Sequence, residues 1–576
     1  MTAATLSAPR AQSIVQRAYV YIVALVAIHM VVLGVANILR VLAELALGAP
    51  SGGFTGLPFA FADVSRARTD VYREQASLAI ALLAVGTPAW WIHFRMAERA
   101  ADLVAERSSA LRSLYVHVVV FVTALLVFGY GQRALRLVLQ GVTFGEPGIG
   151  PTYGLEPEWQ ARAAGAAAMV VAAAIALVFH LRLSAADRSA VPIAGRAAGI
   201  RHLALYALVV VGLVTAASNA GGLLDQVWQR VADALVPLPG RVPVPPPGVP
   251  PPPIPSRDDF LRFQLLGQIP AVVAGLALWL ATWIPLQRGL THARDAAVER
   301  ESIIRKLAIY LIVFVSAVAV LFGTTATLSV VVQRILGDPV IGTYTSLWHD
   351  LGSPVIFVVV FAPMWIFHRR VVESEAAREV EAVRAATLRR LYTYLVMAIA
   401  LAMTAIGVAG TLGVLGSALL GLNTHANAET AIYVSLVVVG AAAWALHWRT
   451  ARARLNDDER RSLPRRLYLY LAILGGVLGL LVFGSAALYR VLNAALGLSF
   501  ERATWHDVWH FVVDSAVAGV VAYWNVRLLR ADRAVLGASG EETYAVTVLV
   551  RAADRDAAKA RVTEAIAGSS DITLKG

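Results

Sequence analysis

Long apolar runs alternate with short polar breaks along the chain, and the breaks follow a rule. Six times an arginine-led segment carrying an aromatic, such as Arg466-Leu467-Tyr468-Leu469-Tyr470, opens an apolar run, and a second apolar run then closes on His, Gln or Asn. The opening aromatics are Tyr21, His117, Tyr206, Tyr310, Tyr394 and Tyr470. The closing polar residues are His93, His180, Gln287, His368, His447 and Asn525. Runs such as Val20–Leu39, Ala164–Leu181 and Leu307–Phe322 come close to the roughly twenty residues with which a helix crosses about 30 Å of hydrocarbon. Twelve such runs, two per repeat, predict an all-α polytopic membrane protein made of six two-helix repeats.

The repeats are expected at 13–107, 108–197, 198–301, 302–385, 386–461 and 462–533, after an N-terminal segment 1–12 and before a tail 534–576. Each reads as a helix running outward, an outer loop, a helix running inward and a charged connector. The third repeat's outer loop, 237–255, holds eleven prolines and predicts an extended polyproline strap. Connectors such as 369–390 carry Glu373, Glu375, Arg378, Glu379, Glu381 and Arg384 without proline, a composition for helices that continue past the membrane with paired charges on their surface. In the tail, 544–550 alternates like a strand, 551–566 suits a helix and 571–574 suits a second strand, giving a small β-α-β unit too small to bury a core alone.

Composition agrees with lipid: 58% of residues are hydrophobic and 15% charged, where soluble domains carry about a quarter charged. The first run starts too far in and is too long for a signal-peptide core, so it is expected to remain as the first span. With no cysteine, disulfides, thiolate metal sites and cysteine nucleophiles are excluded. The net charge of +12 raises the question of nucleic acid, which the placement of the basic residues answers in the negative: 36 of the 50 Arg and Lys fall on the side holding both termini and the connectors. That bias follows the positive-inside rule, which predicts an inner-membrane protein with both termini cytoplasmic and anionic lipid head groups as neighbours of that side.

Inward helices end in a consensus best seen in Pro88-Ala89-Trp90-Trp91-Ile92-His93-Phe94-Arg95 and Pro363-Met364-Trp365-Ile366-Phe367-His368-Arg369-Arg370. Indole at head-group depth with arginine just beyond fixes a helix end at the interface. Because the outward helix starts at that same interface, its opening aromatic and the closing polar residue should lie at equal depth, forming a structural clasp in which Tyr hydroxyls bond His, Gln or Asn. All three offer a donor and an acceptor, which explains their interchange; a metal or general-base role would not accept Gln287 or Asn525. Ligation of haem b by facing histidines is the sharper alternative. Trp348-His349-Asp350 and Trp505-His506-Asp507, nineteen residues before the closing position counted from each histidine, mark the opposite interface. Glycines 410, 413 and 416 are spaced for close helix packing.

One constellation stands apart. His506, His510 and Asp514 follow at four-residue intervals on one helix face, and Asp514 lies eleven residues before Asn525, near mid-membrane. An acid at that depth usually faces a bundle interior or a water path, so this set is the candidate ion or proton site. No phosphate-binding loop, nucleophile elbow, zinc-protease or dinucleotide motif occurs in a fitting context.

The arginine-aromatic start and the Trp-x-x-His-x-Arg close resemble a bacterial family of tandem-repeat integral membrane proteins known as a domain of unknown function, over about 17–530. Repeats three and six depart from it at the closing histidine, and the resemblance implies no activity. The expected function is that of a non-enzymatic scaffold or sensor subunit, without cofactor or metal, whose cytoplasmic helices and tail meet a protein partner. A transporter or channel using the His/Asp site is the alternative, and haem b electron transfer the second alternative.

Overall fold

The computed structural model describes residues 14–48, 68–145, 158–237, 257–290, 296, 302–337, 346–376, 383–419, 421, 426–496, 502–538 and 555–566. Twelve helices are long and apolar enough to cross a membrane. They are α1 (Ile14–Leu47), α2 (Arg68–Ala100), α3 (Ala110–Phe144), α4 (Trp159–Ala190), α5 (Gly195–Leu235), α6 (Arg257–Gly289), α7 (Ile303–Ile335), α8 (Leu347–Ala376), α9 (Val383–Leu419), α10 (Ala426–Ala453), α11 (Leu463–Ala495) and α12 (Arg502–Ala538). Each expected repeat contains two of them. Their outer faces are apolar: α11 leaves Leu471, Leu474, Leu478, Leu481 and Leu488 more than half exposed, a surface stable against lipid and not against water. The chain is a multi-pass membrane protein.

Among the described residues there is no strand. The expected strands 544–550 and 571–574 lie outside the described residues, as do segment 1–12 and all but the first residue of the proline strap 237–255; the tail helix is present as Arg555–Ile566. Two short helices, Val104–Arg107 and Asp457–Arg461, lie in connectors on the basic side.

The helices of each hairpin pack closely because small residues meet at their crossing. On α5 and α6, Gly212 and Gly275 face each other: a Cβ on Gly275 would sit 2.7 Å from the Ala216 backbone nitrogen, and one on Gly212 2.7 Å from that of Trp279. On α9 and α10 two glycines each meet the opposite backbone, Gly407 against Tyr433 and Val437 and Gly440 against Ala400 and Thr404. Lipid gives no hydrophobic reason for helices to associate, so close backbone approach supplies the dispersion energy instead.

Hairpins also pair. The first helix of each odd hairpin packs on both helices of the next: α1 on α3 and α4, α5 on α7 and α8, α9 on α11 and α12. The array is therefore three quartets of four helices, each joined to the next by one helix, α3 against α5 and α6, then α7 against α9 and α10. Tyr21, Tyr206 and Tyr394, the opening aromatics of the odd hairpins, are buried in the three quartets, whereas Tyr470 on an even hairpin is 47% exposed.

Candidate functional site

What marks the even hairpins is a sequence signal that hairpin-by-hairpin reading passes over. Glu-Arg-x-Ser-x-x-Arg occurs three times, as Glu106 to Arg112, Glu299 to Arg305 and Glu459 to Arg465, each just before an even hairpin. An acid follows the closing polar residue by seven in those hairpins alone: Asp187, Glu375 and Asp532, against Ala100, Arg294 and Arg454 in the odd ones. Glu299 and the side chain of Glu375 lie outside the described residues.

Folding turns these signatures into buried arginine nodes. Ser109 and Ser302 cap α3 and α7 by accepting from the backbone N–H of Arg112 and Arg305, which holds each arginine in the first turn. Arg112, Arg305 and Arg465 are 2%, 0% and 3% exposed. In the first quartet Arg112 donates both Nε (2.7 Å) and Nη2 (3.0 Å) to Asp187 at the end of α4, and Nη2 also lies 2.8 Å from Glu98 at the end of α2. Beside it, Glu106 accepts the Tyr21 hydroxyl at 2.8 Å and pairs with Arg17 Nε at 2.7 Å. The third quartet repeats the design: Arg465 donates Nε (2.6 Å) and Nη2 (3.2 Å) to Asp532 and Nη1 (3.2 Å) to the Tyr394 hydroxyl, while Glu459 accepts from Tyr394 (3.0 Å) and Arg390 (2.6 Å). In the second, Arg305 donates to the Tyr206 hydroxyl at 2.7 Å and reaches Gln287 Oε1 at 3.5 Å. Planar guanidinium forks suit such bidentate binding, and each fork ties together the starts and ends of helices on the basic side.

The expected clasp takes a different register. Tyr21 and Tyr394 turn to glutamates, and Tyr206 meets Gln287 through Arg305. His93 and His180 do bond a tyrosine at their own depth, but the one two residues earlier: Tyr19 hydroxyl at 3.4 Å and Tyr115 hydroxyl at 3.0 Å, with the Tyr392 ring 6.0 Å from that of His447. Two residues rotate a helix by about 200°, so position and position minus two point to opposite sides, one to the quartet core and the other to the hairpin partner. His117 bonds Ser184 and its own backbone at Ser113. His368 packs edge-on to Trp283, Asn525 bonds the Val521 carbonyl, the Tyr310 ring lies 6.2 Å from that of Tyr392, and Tyr470 accepts from Arg533. The interfacial tryptophans join hairpins: Trp90 donates to Tyr115, Trp365 to Tyr392 and Trp444 to Tyr468.

At the opposite ends, the two Trp-His-Asp triplets pin their own hairpins, Asp350 to Arg334 (3.0 Å) and Asp507 to Arg490 (2.8 Å), and His349 reaches across to Asp233 (2.8 Å). His506 and His510 lie with ring centres 4.4 Å apart. His510 does not turn to Asp514; its Nε2 is 2.9 Å from Ser417 Oγ, and the ring fills the space over Gly413. Trp509 fills that over Gly416, and Tyr433 that over Gly410. Asp514 and His510 line a cleft of about 540 Å³ between α9, α11 and α12, walled by small residues including Gly410, Gly475, Gly476 and Gly479. Among the described residues no three His, Asp or Glu side chains gather closely enough to hold a metal ion.

Comparison with known proteins agrees with the repeated architecture. A family described as a domain of unknown function (DUF5671) matches residues 17–149, 249–338, 308–398 and 390–524. Two of these matches open on Arg17 and Arg390, the arginines bound to Glu106 and Glu459. No curated protein and no solved structure matches the chain. With more than half its length covered by repeated copies, the chain belongs to the DUF5671 family of multi-helix membrane proteins.

Proposed function

We propose that the protein is a non-enzymatic scaffold or sensor subunit of the bacterial inner membrane, with both termini and the helix connectors in the cytoplasm. The observation that carries this reading is the node: Arg112 and Arg465, with Glu106, Glu459, Asp187 and Asp532, are spent on joining helices. Such a frame holds its basic ends in fixed positions, as a docking platform requires. The haem b reading has less support: the Nε2 atoms of His93 and His180 and both nitrogens of His117 already have hydrogen-bonding neighbours. His29 and His368, whose buried Nε2 atoms lack one among the described residues, belong to different quartets, the first and the second. The test uses a photo-crosslinking residue in place of Glu373, whose side chain is 61% exposed at the basic end of α8, in intact cells. One discrete partner band is expected. Recovery of the chain alone, from this site and from an equivalent one in the tail helix, would overturn the reading.

The cleft supports transport as a second reading, because Asp514 makes no hydrogen bond or ion pair among the described residues and borders open space in the membrane domain. If it carries protons or cations, Asp514→Asn should abolish flux in proteoliposomes while the folded fraction stays constant. Equal flux in both proteins would remove Asp514 from consideration.

A further inference from the structure

Between the second and third quartets, on the basic side, lies a cavity of about 650 Å³ that belongs neither to the nodes nor to the Asp514 cleft. Three arginines line it: Arg369 from the last turns of α8, Arg389 from the start of α9 and Arg454 just past the end of α10. Its only lining carboxylate among the described residues, Glu373, is held by Arg369 at 2.7 Å, so the lining keeps a positive excess. Trp365, Tyr392 and His447 form an aromatic wall, fixed by the Trp365 to Tyr392 hydrogen bond at 3.2 Å, and Arg369 lies over the Trp365 ring at 5.5 Å. Deeper in the membrane the lining turns apolar, with Val313 and Leu446; Leu446 is 62% exposed, so the cavity opens sideways toward lipid.

The first junction lacks this construction. Counted from the opening aromatics and closing polar residues, the counterparts of Trp365, Tyr392 and Leu446 are Leu177, Ala204 and Leu286, and Leu286 is fully buried. The aromatic wall and the lipid-facing leucine are thus features of the second junction's sequence; at the first junction a cavity of about 490 Å³ is lined instead by Arg133 and Arg136 of α3 without an aromatic side chain.

We propose that this cavity binds the phosphate head group of an anionic phospholipid, whose acyl chains pass Val313 and Leu446 into the bilayer. Guanidinium forks match phosphate oxygens, indole and phenol rings are at home at head-group depth, and basic pockets between transmembrane helices select anionic head groups. The site stands independently of the scaffold reading, and it gives the second and third quartets a shared ligand that bridges them.

The test is native mass spectrometry of the purified full chain titrated with phosphatidylglycerol, phosphatidylcholine and soluble glycerol phosphate. Phosphatidylglycerol should bind more tightly than phosphatidylcholine, and Arg369→Gln and Arg454→Gln should each weaken it about fivefold. Arg454→Lys should retain most of the binding, and Arg449→Gln, an exposed charge on α10 outside the cavity, should leave it unchanged. Leu446→Trp narrows the opening without altering charge and should also weaken the lipid, which covers the case of an arginine variant that fails to fold. Equal affinity for the two lipids, or an equal loss with Arg449→Gln, overturns the proposal. Glycerol phosphate binding as tightly as phosphatidylglycerol would assign the cavity to a soluble phosphate compound and overturn the lipid assignment.

Discussion

Arg465→Ala is expected to destabilise the protein by about 3 kcal/mol, the low end for a broken buried pair, because it leaves Asp532 charged and buried with its bidentate partner gone and Arg460, at 3.3 Å, left beside it. Desolvating a charge is expensive, and the attraction that offsets it acts only while both partners are present. A double variant, Arg465→Met with Asp532→Leu, should therefore recover part of the loss, since it removes both buried charges and leaves apolar volume, while Arg460, 19% exposed, loses its bond to Asp532. Arg112→Ala and the Arg112→Met, Asp187→Leu pair should behave alike in the first quartet, where the same fork is made. Denaturant unfolding in micelles, followed by tryptophan fluorescence, measures each case. Losses below about 1 kcal/mol, the size found for exposed pairs, would show the node to be hydrated and would remove its role as the tie of the quartet.

Gly275→Val should be nearly as damaging, with a loss of about 1–3 kcal/mol or more. Its Cβ would meet backbone atoms of α5, the Ala216 nitrogen at 2.7 Å and the Gly212 carbonyl oxygen at 2.8 Å, and backbone cannot rotate away as a side chain does. The helices would have to separate, losing dispersion contacts along the whole hairpin. Gly475→Ala is the contrasting case: on α11 nothing lies within 4 Å of the added Cβ, so the substitution should be neutral or slightly stabilising through helix propensity. Melting temperatures from fluorescence-detected size-exclusion chromatography separate the two outcomes. A Gly275→Val protein that melts with the wild type would mean that α5 and α6 do not cross at Gly212.

The candidate chemistry was only partly legible before folding. The spacing of His506, His510 and Asp514 places them on one helix face, yet sequence could not tell that His510 would be taken by Ser417 on α9, ninety-three residues away. Packing of Trp509 and His510 against the glycine stripe of α9 decides that contact. The Glu-Arg-x-Ser-x-x-Arg signature, by contrast, was present in the chain throughout. It escapes a reading aligned on every hairpin because it occurs in every second one, and its meaning appears only when Arg112 and Arg465, at the starts of α3 and α11, are seen to reach the acids near the ends of α4 and α12.

The sequence by itself determined the twelve spans and the polar and aromatic residues that bound them. Hydrocarbon thickness and the demand that each backbone polar group be satisfied within its own helix act locally, so they write themselves into the order of residues. Tertiary structure alone decided which neighbour each side chain meets: that Tyr21 faces Glu106 while Tyr19 faces His93, that hairpins join in twos, and that a cationic cavity with an aromatic wall opens on the basic side between the second and third quartets. Depth does not fix the rotation of a helix about its axis. In lipid, where both sides of a helix are apolar, that rotation is set by small-residue crossings and buried polar bonds between segments far apart in the chain.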